Sequence, residues 1–167
     1  MNWTLAYRIV VYGLPAPQGS KKFLGLAKSG RGILGESSKK VKPWREAVKS
    51  AARDAMENFE HPNSSFEPVG PIDAPVRVSM TFTMPKPASA PKRRRTWPMR
   101  TPDLSKLVRS TEDALTDAGI WRDDARVIEA TTAKVYPGEG QDALECPGAV
   151  ISVYVMEVGG LVLERAA

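Results

Sequence analysis

The sequence has little of what most metal and nucleophile chemistry is built on. Among its 167 residues there is one cysteine, Cys146, and one histidine, His61. A lone cysteine excludes an intrachain disulfide and a cysteine-based zinc site. A lone histidine excludes His-ligated zinc clusters. It also makes a Ser-His-Asp triad depend on one residue in a Pro62-Asn63-Ser64-Ser65 stretch, where His61 reads as an exposed loop residue without a role. No apolar run is long enough to cross a bilayer. Met1-Asn2-Trp3-Thr4-Leu5 has no basic region leading into an apolar stretch, so the expectation is a cytoplasmic protein with no membrane partner. With 42% hydrophobic and 26% charged residues the composition is ordinary for a globular protein. The expectation is one domain over 1–158 followed by a frayed tail, 159–167. Enzymatic chemistry in such a chain falls to carboxylates, lysines or a metal held by oxygen.

The positive charge is concentrated. The net charge is +5, yet Lys86 to Arg100 holds six basic residues and no acid, and Lys21 to Lys42 holds seven against Glu36 alone. The rest of the chain has 11 basic residues against 18 acidic ones. Two basic segments rich in Gly, Pro and Ser suit a phosphate backbone, which binds by ion pairing and counterion release. A solvated surface loop is the other reading. The candidate DNA contacts are Lys21, Lys22, Lys39, Lys40, Lys92, Arg93, Arg94, Arg95 and Arg100.

Tyr7–Tyr12 reads as a strand, and 13–42 as irregular with a short hairpin around Phe23-Leu24 and Ile33-Leu34. Pro43 suits a first helical position, and Trp44, Ala47, Val48, Ala51, Ala55, Met56 and Phe59 follow at helical period. Val76, Val78, Met80, Phe82 and Met84 alternate with polar residues, as a strand with one face on a core does. Asp103 opens a second helix whose stripe is Leu104, Leu107, Val108, Thr111, Leu115 and Ala118, stopped by Gly119. Strands follow at 126–136 and 150–155, and the short loop between them predicts a hairpin. The fold class is α+β, a mixed sheet with two main helices. Gly30-Arg31-Gly32-Ile33-Leu34-Gly35 fits the dinucleotide-binding spacing, but no opening helix follows it, so it reads as a flexible DNA-facing loop.

Asp103 precedes the second helix, directly after the Arg-rich loop, and Asp123-Asp124 come 20 and 21 residues later. A helix of about 15 residues spans about 22 Å. If the chain then doubles back along it, Asp124 returns towards Asp103, and converging carboxylates are what Mg²⁺ takes. Such an ion activates water and stabilises charge on a phosphodiester. The alternative reading makes Asp103 a helix N-cap and Asp123-Asp124 a turn pair. Asp113 is about three turns from Asp103, roughly 15 Å, and with Glu112 reads as structural; Glu129, in the strand after Asp124, points inward or outward according to strand parity. Trp97 either stacks on an exposed base or covers its own core.

Pro102-Asp103-Leu104-Ser105-Lys106-Leu107, Asp113-Ala114-Leu115-Thr116-Asp117-Ala118-Gly119 and Trp121-Arg122-Asp123-Asp124-Ala125-Arg126-Val127-Ile128 resemble the core of the RusA family of Holliday-junction resolvases, its phage and prophage members in particular. The likeness runs from Arg93 to about Lys134, and is weaker over Trp44–Met56 and Val76–Met84. The Pro15–Ser20 stretch is also similar to the family's opening. The resemblance implies a homodimeric, Mg²⁺-dependent (Mn²⁺ also serving) endonuclease of mixed α/β fold that binds four-way DNA junctions and nicks them symmetrically in recombination and repair. It implies catalysis by Asp103 and Asp124 with a basic residue at the position of Arg109; Lys106, beside them, is expected to join Arg109 in neutralising charge at the scissile phosphate. It implies metal binding by Asp103 and Asp124 with Asp123 beside it, and DNA contact by Lys92, Arg93, Arg94 and Arg95; Ser105 occupies a further ligand position, where it either ligates the metal, holds a metal-bound water or leaves the affinity poor. The chain departs from the family pattern at three places. Ser105 stands where the family has a second aspartate, Lys106 where an Asn is common, and Arg109 in place of a lysine. A hydroxyl is a weaker ligand than a carboxylate, and arginine does not readily donate a proton. Two alternatives therefore stay open: a non-catalytic junction-binding protein of this fold, and a nuclease that also cuts flaps and forks.

Overall fold

The computed structural model describes residues 2–19, 21–26, 29–36, 39–58, 70–91 and 93–156, the side chains of 21–26 and 32–36 excepted. His61, Phe59, Lys92 and the expected tail at 159–167 lie outside those residues. So do the side chains of Lys21 and Lys22.

Among the described residues six strands and two α-helices follow in order. Strand β1 (Trp3–Tyr12) turns Tyr7, Ile9 and Val11 into the core and Arg8, Val10 and Tyr12 outward. Strands β2 (Lys21–Leu26) and β3 (Gly32–Glu36) pair antiparallel with Phe23 opposite Leu34, so the short expected hairpin is real and longer than anticipated. Because Gly32–Glu36 is strand paired with β2, the glycine motif there opens no helix and is not the flexible loop expected. Helix α1 (Val41–Glu57) begins two residues before Pro43, which still sits in the first turn, where backbone N–H groups have no helical acceptor. Strand β4 (Val76–Thr83) keeps Val76, Val78, Met80 and Phe82 fully buried. Helix α2 (Leu104–Ala118) ends at Gly119 with φ 88°, the left-handed cap that glycine adopts without strain. A 3-10 turn (Asp124–Arg126) leads into β5 (Val127–Val135), and β6 (Gly148–Met156) closes the fold.

The main sheet has the order β1-β6-β4-β5. The expected hairpin of the last two strands is overturned, because β4 lies between them, parallel to β5 and antiparallel to β6. Burial explains this. Strand β6 is an almost continuous apolar run, buried along nearly its whole length, and needs a neighbour on both edges. Strand β5 is exposed at Ile128, Glu129, Ala130 and Thr131, and takes the sheet edge. Parallel strands need a crossover, and α2 supplies it, making β4-α2-β5 one βαβ unit. At the start of β6 a Cβ on Gly148 would lie 2.2 Å from the Val11 carbonyl oxygen, so only glycine permits this approach to β1.

Both helices pack on one face of the sheet. Trp44 of α1 is the joint: its ring meets Phe82 of β4 at 6.4 Å between centroids, and its indole N–H donates to the Thr111 hydroxyl of α2 at 3.1 Å. One apolar cluster draws on β1, β4, β6 and both helices, as a single domain does. Since β1 and β4 both run antiparallel to β6, and β5 runs with β4, the strands β1, β4 and β5 all point the same way.

Candidate active site

Asp103 is the residue before α2 and has extended backbone angles, φ −66° and ψ 137°, yet its side chain makes no capping hydrogen bond. The N-cap reading therefore accounts for its backbone and not for its carboxylate. That carboxylate is half-exposed, with Lys106 Nζ 3.1 Å away. Ser105 and Arg109 are exposed on the same helix, and Arg109 has no ion-pair partner among the described residues.

Asp123 does behave as a turn residue, accepting the Ala125 N–H at 2.9 Å to start the 3-10 turn. Asp124 beside it is exposed. Its neighbour is Glu112 of α2, which is half-buried. Desolvation, then the charges of Asp124 and Asp113, push the Glu112 carboxyl above its ordinary value. Asp113 itself faces Arg45 of α1 at 3.6 Å, and Arg45 also holds Asp117 at 2.9 Å, so these two acids fasten the helices together. Glu129 is paired outward with Arg77 at 2.9 Å.

Asp103 and Asp124 do not converge within one chain. The βαβ unit dictates this: Asp103 follows the loop leaving the C-terminal end of β4, whereas Asp124 precedes the start of β5, level with the start of β4. Eight residues of strand separate those levels, about 26 Å at about 3.3 Å per residue. Asp103 and Glu112 are nine positions apart, about 13 Å along the axis. The chain does double back along α2, but it delivers Lys134 to the Asp103 end. Lys134 Nζ donates to the carbonyl of Pro102 at 2.8 Å and of Arg100 at 3.0 Å. Among the described residues no three His, Cys, Asp or Glu side chains are grouped to hold a metal ion.

Lys134 was missed by sequence reasoning, and Glu112, read there as structural, is the carboxylate that faces Asp124. Helical spacing could have flagged Glu112, which falls beside the buried Thr111. Nothing in the local sequence marks Lys134, whose role comes from strand direction.

The basic loop lies at the Asp103 end. Arg93, Arg94, Arg95 and Arg100 are exposed, as are Lys39 and Lys40 before α1. The loop is fastened by Glu139, which accepts from Lys86 Nζ and from the Thr96 backbone N–H at 3.1 Å. The Lys86 hydrogen bond, then that of Thr96, hold the Glu139 carboxyl below its ordinary value. Trp97 is 58% exposed and Met99 90%, so Trp97 does not cover the core; the Arg95 guanidinium stacks over its ring at 5.3 Å.

Among the described residues no helix is long and apolar enough to cross a membrane. No curated protein matches the chain. A family model described as Endodeoxyribonuclease RusA matches residues 18–143, a span that holds both helices, the basic loop and all the candidate acids. The chain belongs to the RusA endodeoxyribonuclease family, DNA endonucleases that resolve Holliday junctions.

Proposed function

We propose that this protein cuts four-way DNA junctions by paired nicks as a homodimer dependent on Mg²⁺ or Mn²⁺, acting in recombination and repair in the cytoplasm of a bacterial or phage-infected cell. The observation that carries the reading is Asp103: a carboxylate at a helix start, unclaimed by the backbone, at the edge of an arginine-rich loop.

The donor set decides how a metal fits. Asp103, Ser105 and Asp124 offer oxygen ligands of the kind Mg²⁺ takes, but one chain holds the two carboxylates too far apart for one ion. They fit across two copies. Among the described residues strand β5 has no partner on its outer edge, where Ile128 is 60% exposed, and antiparallel pairing of two such edges carries Asp124 of one copy towards the Lys134 end of the other, where Asp103 stands. A divalent ion, when bound, would activate water and stabilise charge on the phosphodiester. Lys106 and Arg109 neutralise the phosphate, and the exposed arginines hold the backbone.

Mixing two inactive variants tests this. Asp103→Asn and Asp124→Asn should each bind a labelled mobile junction and fail to cut it in Mg²⁺. Mixed dimers should regain one working site and produce unpaired nicks. No recovery on mixing would overturn the shared site, and no cutting by the unaltered protein at any excess would defeat the activity.

A non-catalytic junction-binding protein is the second reading, favoured by Ser105 and by the lack of a grouped acidic triad among the described residues. It expects tight junction binding in EDTA with no cleavage in either metal. Comparing junction, fork, flap and duplex at matched salt separates a broader nuclease from a resolvase.

A further inference from the structure

The ends of β1, β4 and β5 and the starts of both helices meet at one end of the molecule, as they must when the three strands share a direction and the helices run back along them. Ligands of open α/β sheets bind outside the carboxyl ends of strands for this reason: the connections there leave a crevice, and helix N-termini point positive dipoles into it.

A cleft of 530 Å³ occupies this end. That volume lies within the roughly 300–1,000 Å³ of small-ligand sites. Its walls are the segment after β1 (Leu14–Pro17), the segment after β4 (Met84, Pro85 and Pro87), the segment before α2 (Pro98, Thr101 and Pro102) and Tyr136 after β5. Prolines donate no backbone hydrogen bond, so these walls present flat apolar surface with few competing donors. Two cations complete the lining, Lys40 at the start of α1 and Arg100 before α2, and neither carries an ion pair among the described residues.

The walls are held in place before anything binds. Lys134 ties down the carbonyls of Arg100 and Pro102. The Ser110 hydroxyl donates to the Ala16 carbonyl at 2.6 Å, and the Gln18 N–H to the Lys106 carbonyl at 2.9 Å, so the segment after β1 is bonded to α2. The Met84 N–H donates to the Val135 carbonyl at 2.8 Å, joining two more walls. Asp103 follows Pro102 directly.

An apolar, rigid-walled cleft with two free cations fits a ligand that is flat and apolar at one end and anionic at the other. We infer that this cleft takes one unpaired nucleotide of the bound DNA strand, its base against the proline walls and its phosphates on Lys40 and Arg100. The inference rests on the reading of the protein as a branched-DNA nuclease, and places an unstacked base next to the carboxylate that faces the scissile phosphate. A paired base cannot enter, so the cleft selects DNA whose pairing is broken at the branch.

The test removes the base and fills the cleft in turn. Junctions carrying a single abasic site at successive positions around the branch are titrated against the protein in EDTA. At one position per strand the abasic site should weaken binding roughly tenfold, the scale of losing one stacked base. Leu14→Trp should weaken binding of the intact junction by a similar factor and abolish the abasic penalty. Pro87→Trp, which fills from the β4 side, should do the same if Leu14→Trp fails to fold. Lys40→Ala should weaken intact and abasic junctions alike and lower the slope of log affinity against log salt by about one. Junction binding with no abasic penalty at any position, or with the penalty intact in both filled variants, would overturn the cleft and leave the nuclease reading standing. No binding to branched DNA at all would overturn both.

Discussion

Lys134, the penultimate residue of an edge strand, donates its ammonium protons to the carbonyls of Pro102 at 2.8 Å and Arg100 at 3.0 Å, on the segment that carries Asp103. The side chain is half-buried, so these charge-assisted bonds are partly shielded from water. Lys134→Ala should cost about 1–2 kcal/mol in urea unfolding. It should slow single-turnover cleavage roughly ten- to hundredfold and weaken junction binding a few-fold, because Asp103 and Arg100, both carried by the tied segment, lose their bearing.

Thr111→Val tests the joint between the helices. The substitution leaves the buried Trp44 indole N–H without its acceptor, at a cost of about 1–3 kcal/mol in the same unfolding assay. Trp44→Phe in the Thr111→Val background should recover part of that loss, since it removes the orphaned donor.

Glu112 predicts a pH dependence with a definite sign. Burial and the two neighbouring aspartates raise its carboxyl above the ordinary value of 4.5. Between that value and the raised one the folded chain holds the proton more tightly than the unfolded chain, so stability falls as pH rises through this window. Above it the ionised group is a constant penalty. Glu112→Gln should therefore raise the melting temperature at pH 7 by roughly a few degrees and flatten the profile above pH 4.5. A divalent cation that draws on Glu112 would reverse this, stabilising the parent chain and not the variant.

Glu139 titrates in the opposite sense. Lys86 and the Thr96 N–H hold its carboxyl below 4.5, so its contribution is complete above that value and lost as pH falls through the depressed one. Glu139→Gln should remove that acid-side dependence. At neutral pH it should weaken junction binding a few-fold by releasing the arginine loop. Replacing Arg93, Arg94 and Arg95 together with alanine should lower the salt slope of binding by roughly two to three, about 0.9 per lost phosphate contact.

Much of the fold is legible because local patterns agree with it. The alternation at Val76–Met84 is the buried face of β4, the stripe from Trp44 to Met56 is the packed face of α1, and Asp103 and Gly119 bracket α2 within a residue. Strand order is not local. Residues 150–155 and 126–136 are close in sequence, and only their unequal apolar content separates a central strand from an edge. The same gap hid the site's geometry. Asp103 and Asp124 carry the right chemistry at a recognisable spacing, but whether they meet is decided by a parallel pairing with β4, contributed by residues more than forty positions upstream. Trp97 was legible only as a choice, since exposure depends on what else covers the core.

Gly148 has a bearing on how freely this chain can vary. Any side chain there would strike the Val11 carbonyl, and β6, held between β1 and β4, has nowhere to retreat. In a saturation library selected for soluble protein, that position should return glycine alone, while Ser105 and Arg109, exposed on α2, should accept nearly everything. A lineage of such proteins can thus rewrite its cutting chemistry residue by residue without endangering the scaffold, so long as one hydrogen-sized gap beside the first strand is kept.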